Sequence, residues 1–106
     1  MKKVINGTLY NTETAELIDT YSNGLGSRDF RNITESLYRK KNGEFFLYGY
    51  GGAMSKYCEC CGDMSGSGKN IIPVTEDEAK EWLETYSTAD IYIEVFGQPE
   101  EKFRLR

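Results

Sequence analysis

The stretch Ile33-Thr-Glu-Ser-Leu-Tyr-Arg-Lys-Lys-Asn-Gly-Glu-Phe-Phe-Leu-Tyr-Gly-Tyr50 decides the fold class. Two strand-like runs rich in aromatic and aliphatic residues, 33–41 and 44–50, flank Asn42-Gly43. Asn-Gly in that setting is the preferred dipeptide of two-residue type I′ turns, whose central residues both need positive φ. The stretch is therefore expected to form a β-hairpin. That turn sets a register in which Tyr38 pairs with Leu47, Arg39 with Phe46, and Leu37 lies opposite Tyr48. Cross-strand aromatic–aliphatic pairs contribute about 0.2–1 kcal/mol each. Gly49-Tyr-Gly-Gly52 then breaks the strand and lets the chain turn sharply.

Toward the N-terminus, residues 3–10 and 15–22 read as short strands around an Asn11-Thr-Glu-Thr14 turn. In the second of these, Leu17 and Ile18 point to opposite faces, so this strand is expected to be covered on both sides. Asn23-Gly-Leu-Gly-Ser27 is a loop by composition. Toward the C-terminus, residues 62–70 form a polar Gly/Ser-rich loop, and Ile71-Ile72 a short extended segment before Pro73. Thr75-Glu-Asp-Glu78 is a capping box with an acidic first turn that suits the helix dipole. Ala79, Trp82, Leu83 and Tyr86 then share one helical face, so this helix should lie on the sheet. From Ser87 to Gly97 the chain reads as a second, short helix, capped by Ser87 and ended by Gly97. The alternation Ile91, Ile93, Val95 supports a strand there as the competing reading. Residues 98–106 are a charged tail. The expected fold is a single α+β domain: an antiparallel meander of about four strands, a cysteine-containing turn, one long helix and one short one.

Composition narrows the function classes. At 106 residues the chain is of single-domain size. Seventeen acidic residues against thirteen basic give a net charge of −4. That balance argues against binding by counterion release, so no direct nucleic-acid binding is expected. The basic run Arg39-Lys-Lys41 flanks the hairpin turn and reads as a solvated strand end. No apolar run approaches the length of a membrane span. Met1-Lys-Lys-Val-Ile-Asn-Gly7 lacks the apolar stretch of a signal peptide. The expected address is the cytoplasm, where thiols stay reduced.

The chemistry-bearing motif is Cys58-Glu-Cys-Cys61, set in Met54-Ser-Lys-Tyr-Cys-Glu-Cys-Cys-Gly-Asp63. All three cysteines fall within four residues, and the chain has no histidine. Cys58 and Cys61 have the Cys-x-x-Cys spacing of a zinc half-site, with Cys60 as a third sulfur. Structural zinc takes four ligands, so the fourth falls to Asp63, another carboxylate, water or a second molecule. Two readings compete with zinc. One is small, buried or incidental thiols. The other is a redox pair, which lacks the strand–helix setting of thioredoxin-like sites. Cysteine-nucleophile hydrolysis lacks its usual histidine base. Gly66-Ser-Gly-Lys69 fails the phosphate-loop spacing and reads as loop.

Two further groups are candidates for contact with a partner. Tyr48, Tyr50 and Tyr57 lie near the cysteine turn, and aromatics are enriched in protein interfaces. Packing against the helix explains them equally well. The carboxylates Glu76, Asp77, Glu78, Glu81 and Glu84 read first as a solvated face. The sharper reading is an acidic surface that competes with nucleic acid for a basic groove, with Glu81 and Glu84 on its outer side.

Four segments carry a resemblance: the opening Lys3-Val-Ile-Asn-Gly with Tyr10-Asn-Thr-Glu-Thr-Ala15, the hairpin Leu37 to Tyr48, Gly51-Gly-Ala-Met-Ser-Lys-Tyr57, and Ile72-Pro-Val-Thr-Glu-Asp-Glu-Ala79 leading into a Trp-bearing helix. Together they resemble a group of small acidic proteins carried by phages, plasmids and integrative elements of Firmicutes, which includes anti-CRISPR inhibitors of type II Cas9. The resemblance runs to about Gly97. It implies a stoichiometric, non-catalytic binder, monomer or homodimer. Such a binder would occupy Cas9 or its guide-RNA complex and block target DNA loading or cleavage. A zinc ion would then be structural, stapling residues 54–67. The alternative expectation is a zinc-binding regulatory or interaction protein of a mobile element, unrelated to Cas9. A thiol enzyme is the third.

Overall fold

The computed structural model describes residues 1–26, 29–54, 56–57, 59–61, 64–66 and 68–97, with backbone alone over 59–61 and 64–66. Eight strands precede two helices: β1 (Lys2–Ile5), β2 (Thr8–Asn11), β3 (Glu16–Ser22), β4 (Ile33–Arg39), β5 (Phe45–Gly51), β6 (Glu59–Cys61), β7 (Met64–Gly66), β8 (Gly68–Val74), α1 (Glu76–Tyr86) and α2 (Ala89–Phe96). The main sheet is antiparallel throughout, in the order β3-β4-β5-β8. The pairs β1-β2 and β6-β7 form separate two-stranded sheets. The α+β class and an antiparallel sheet of four strands are as the sequence predicts, but the fourth strand is β8, after the cysteine segment, and residues 3–10 lie outside this sheet. The charged tail at 98–106 lies outside the described residues.

The central hairpin forms, but with another turn. Lys40 N–H donates to the Glu44 carbonyl at 2.7 Å, and Gly43 N–H donates to the Lys40 carbonyl at 2.9 Å. The loop therefore holds three residues, and Gly43 alone takes positive φ, 93°. This is a type I turn followed by a left-handed glycine, the usual three-residue hairpin. Leu37 pairs with Leu47, Tyr38 with Phe46 and Arg39 with Phe45, one residue off the expected register. The shift puts Leu37 and Leu47 on one face and sends Tyr48 to the other, since side chains alternate along each strand. The two-residue turn occurs instead at Asn6-Gly7, with φ of 51° and 79° between the partners Ile5 and Thr8. Residues 3–10 are thus two strands and a turn rather than one strand.

Pleat alternation gives the main sheet a helix-facing side and an outer side. Leu37, Phe45 and Leu47 on the first pack with Ala79, Trp82 and Leu83 of α1. Phe46 and Ile71 on the second pack with Tyr10, so the β1-β2 hairpin covers part of that side. The Tyr10 ring meets Phe46 edge-on at 5.5 Å, and Tyr38 stacks on Phe46 at 5.3 Å. Strand β3 is not covered on both sides. A bulge lies between Leu17 and Asp19, Ile18 joins the helix-side core, and Leu17 stays 53 % exposed. Edge strand β8 tolerates Pro73, which has no N–H to give. Its seven residues extend well beyond Ile71-Ile72, and the expected loop at 62–70 instead holds β7 and the start of β8. Gly51 and Gly68 are register partners, so the chain leaves β5 and returns in β8 at the same point of the sheet.

Both bonds of the capping box predicted at the start of the first helix form. The Thr75 hydroxyl accepts from Glu78 N–H at 3.1 Å, and the Glu78 carboxylate accepts from Thr75 N–H at 3.0 Å. The segment 87–97 is helical, and Gly97 ends it at φ 84°. Its N-cap is Thr88, not Ser87; Ser87 is the C-cap of α1, and its hydroxyl donates to Asp19 on β3. Arg39 closes the other end of α2, donating to the Val95 carbonyl at 3.4 Å while pairing with Glu16 at 2.6 Å. Lys40 sits over the Tyr10 ring, 4.6 Å from its centroid. Two of the three residues in the basic run are therefore engaged, not merely solvated. No helix among the described residues is long and apolar enough to cross a membrane.

Candidate functional site

The cysteine motif falls mostly outside what the structure describes: Cys58 and Asp63 are not among the described residues. The backbone of Cys60 and Cys61 forms β6, opposite Ser65 and Met64 of β7. Cys60 and Cys61 thus belong to a hairpin placed between β5 and β8. Among the described residues, to which the cysteine side chains do not belong, no group of three or more Cys, Asp or Glu side chains is placed to hold a metal ion.

The three tyrosines do not form one patch. Tyr48 and Tyr50 stand on the outer side of β5, rings 6.3 Å apart, with Tyr50 48 % exposed. Tyr57 is 3 % exposed and lies in the interior, so it cannot belong to a contact surface with them. Its position depends on Gly49. A Cβ at residue 49 would sit 2.0 Å from Cζ of the Tyr57 ring, a distance no pair of non-bonded carbons tolerates. The absent side chain in the middle of an aromatic strand is the seat of that ring.

Tyr57 leads to a group that sequence reasoning missed. Glu35, in the middle of β4, is only 2 % exposed. Its Oε2 accepts from the Tyr57 hydroxyl at 2.6 Å and pairs with Lys56 Nζ at 2.6 Å. Its Oε1 accepts from Trp82 Nε1 at 3.3 Å. One carboxylate so joins the sheet, the turn after β5 and the first helix. Burial pushes the Glu35 carboxyl up, but Lys56, Tyr57 and Trp82 outweigh it and hold the group below its ordinary value. Burial, then the bond to Glu35, pushes the Tyr57 phenol well above the usual tyrosine range. A signal for this cluster existed: Glu35 shares a strand face with Leu37, and a carboxylate there needs donors. Which donors would meet it depends on the fold, because they come from two distant segments.

The helical layer supplies the exposed candidates. Glu81 and Glu84 are solvent-facing on α1, as expected. Between residues 75 and 97 there are seven carboxylates (Glu76, Asp77, Glu78, Glu81, Glu84, Asp90, Glu94) and one base, Lys80. That lysine sits over the Phe96 ring, 5.2 Å from its centroid. Among the described residues the ion pairs are Arg31–Asp29, Arg39–Glu16 and Lys56–Glu35, and none involves the helical layer. Where α1 ends and α2 begins, the two helices leave a groove of about 410 Å³ lined mainly by Leu83, Ala89, Tyr92 and Ile93, with Glu84 beside them.

The chain matches no protein-family model, no curated protein and no solved structure. Its function is therefore argued from these surfaces.

Proposed function

We propose that this protein is a non-catalytic inhibitor of a CRISPR nuclease of the Cas9 type, acting in the bacterial cytoplasm by stoichiometric binding. The observation that carries the reading is the charge of the helical layer, seven carboxylates against one lysine, on a chain whose net charge is only −4. Nucleases of this type hold guide and target in positively charged channels. A concentrated acidic face speeds encounter with such a partner and fixes its orientation. The test is target-DNA cleavage by guide-loaded Cas9 titrated with the purified protein. Inhibition saturating near one equivalent is expected. Undiminished cleavage by several Cas9 orthologues would overturn the reading.

Three thiols within four residues, two of them at Cys-x-x-Cys spacing, support a structural zinc in addition, with Cys58, Cys60, Cys61 and Asp63 as its proposed ligands. Should Cas9 be unaffected, zinc binding by a mobile-element interaction protein becomes the leading function. Metal analysis of the purified protein should find about one zinc per chain. Iodoacetamide should then label the thiols only after chelation. Rapid labelling near neutral pH without chelator would instead mark an activated thiol.

A further inference from the structure

We propose that the groove between α1 and α2 is a docking site for a basic segment of a partner protein, one that inserts an apolar anchor and brings Arg or Lys to the rim. For the identity of the partner alone, this rests on the inhibitor reading. The floor is apolar: Leu83 is buried, Tyr92 half-buried, and Ile93 remains 39 % exposed on a short helix that buries no residue fully. An exposed isoleucine beside an open apolar groove is the arrangement that receives an anchor side chain. The wall supplies Glu84, and Glu81 stands one turn before it on the same helix. Neither carboxylate has an ion-pair partner among the described residues. The one base of the layer, Lys80, lies against Phe96. The groove thus presents apolar area and uncompensated negative charge side by side, which fits a basic amphipathic segment and repels an acidic one.

The probe is an amphipathic peptide of about 14 residues, with Leu at i, i+3, i+4, i+7 and Arg elsewhere, and its twin with Glu in place of Arg. Each is titrated into isotope-labelled protein followed by NMR. The Arg peptide should shift the amides of residues 83–93, and the Glu peptide should not. Glu84→Lys and Ile93→Asp, both at exposed positions, should each weaken binding roughly tenfold while the spectrum elsewhere stays native. Shifts centred on the strands, equal binding of both peptides, or no binding would overturn the site. So would sedimentation showing that a second copy already fills the groove. The same two variants in the cleavage assay separate the two proposals. If the native protein inhibits Cas9 and the variants inhibit equally, the groove is not the surface that meets the nuclease and the inhibitor reading stands. If peptide binding behaves as expected but cleavage is untouched, the groove stands and the nuclease is the wrong partner.

Discussion

Glu35 and Gly49 show how much of this domain hangs on single side chains. Glu35→Ala would remove the carboxylate that accepts from the Tyr57 hydroxyl and the Trp82 indole N–H. Each buried donor left unmade costs about 1–3 kcal/mol. Lys56 adds little to that loss, because its side chain is 53 % exposed and can return to water. Glu35→Gln keeps an acceptor oxygen and should cost less than alanine. Urea unfolding followed by the fluorescence of Trp82, the single tryptophan, would report both; equal stability of all three proteins would refute the role given to the carboxylate. Gly49→Ala drives a methyl group into the Tyr57 ring and should destabilise by about 1–3 kcal/mol, the usual cost of overpacking. Placed on Tyr57→Ala, the same change should lose most of its effect. Simple additivity of the two would mean that the glycine matters for another reason.

At the scale of elements, the two Asn-Gly turns invert the expectation drawn from them. Asn6 adopts positive φ and Asn42 does not. Asn6→Ala should therefore cost about 1–2 kcal/mol, the penalty for a left-handed alanine. Asn42→Ala removes exposed bonds to Glu44 and should cost only tenths of a kcal/mol. Thermal melts of both variants check the order. What the sequence made legible were features written within a few residues: the capping box at Thr75, the face of Trp82, the stop at Gly97, the paired strands at 33–50. Asn42-Gly43 was readable as a turn but not as a turn type, because the dipeptide satisfies both classes. The β1-β2 hairpin was hidden by apolar residues continuing across Asn6-Gly7. The carboxylate cluster and the helical groove were not legible in full. Each joins segments tens of residues apart, and nothing local records that Trp82 will face Glu35 or at what angle α2 leaves α1.

For the whole molecule, the lowered titration of Glu35 makes stability depend on acid. The folded carboxyl protonates below its ordinary value of 4.5, so the unfolded chain binds the proton first as pH falls. The stability it supplies is complete above that value and fades as pH drops through the lower folded value. Melting temperature should therefore fall with pH below about 4.5, and less steeply in Glu35→Gln; parallel curves for the two proteins would show that other carboxylates govern the slope. The pairing of Gly51 with Gly68 has a consequence of another kind. Because the chain steps out of the sheet and back in at one rung, and Tyr57 anchors the near side through Glu35, exchange of 58–67 is expected to leave the register of β5 with β8 in place. Each doubling of such a loop costs only about 0.6 kcal/mol of closure entropy. A Gly/Ser linker in place of 58–67 should unfold near the urea midpoint of the native chain, and loss of cooperative unfolding would show that the hairpin is part of the frame. If the midpoint holds, this rung is a splice point, where lineages could trade one thiol-bearing insert for another, and where an epitope or reporter can be written in.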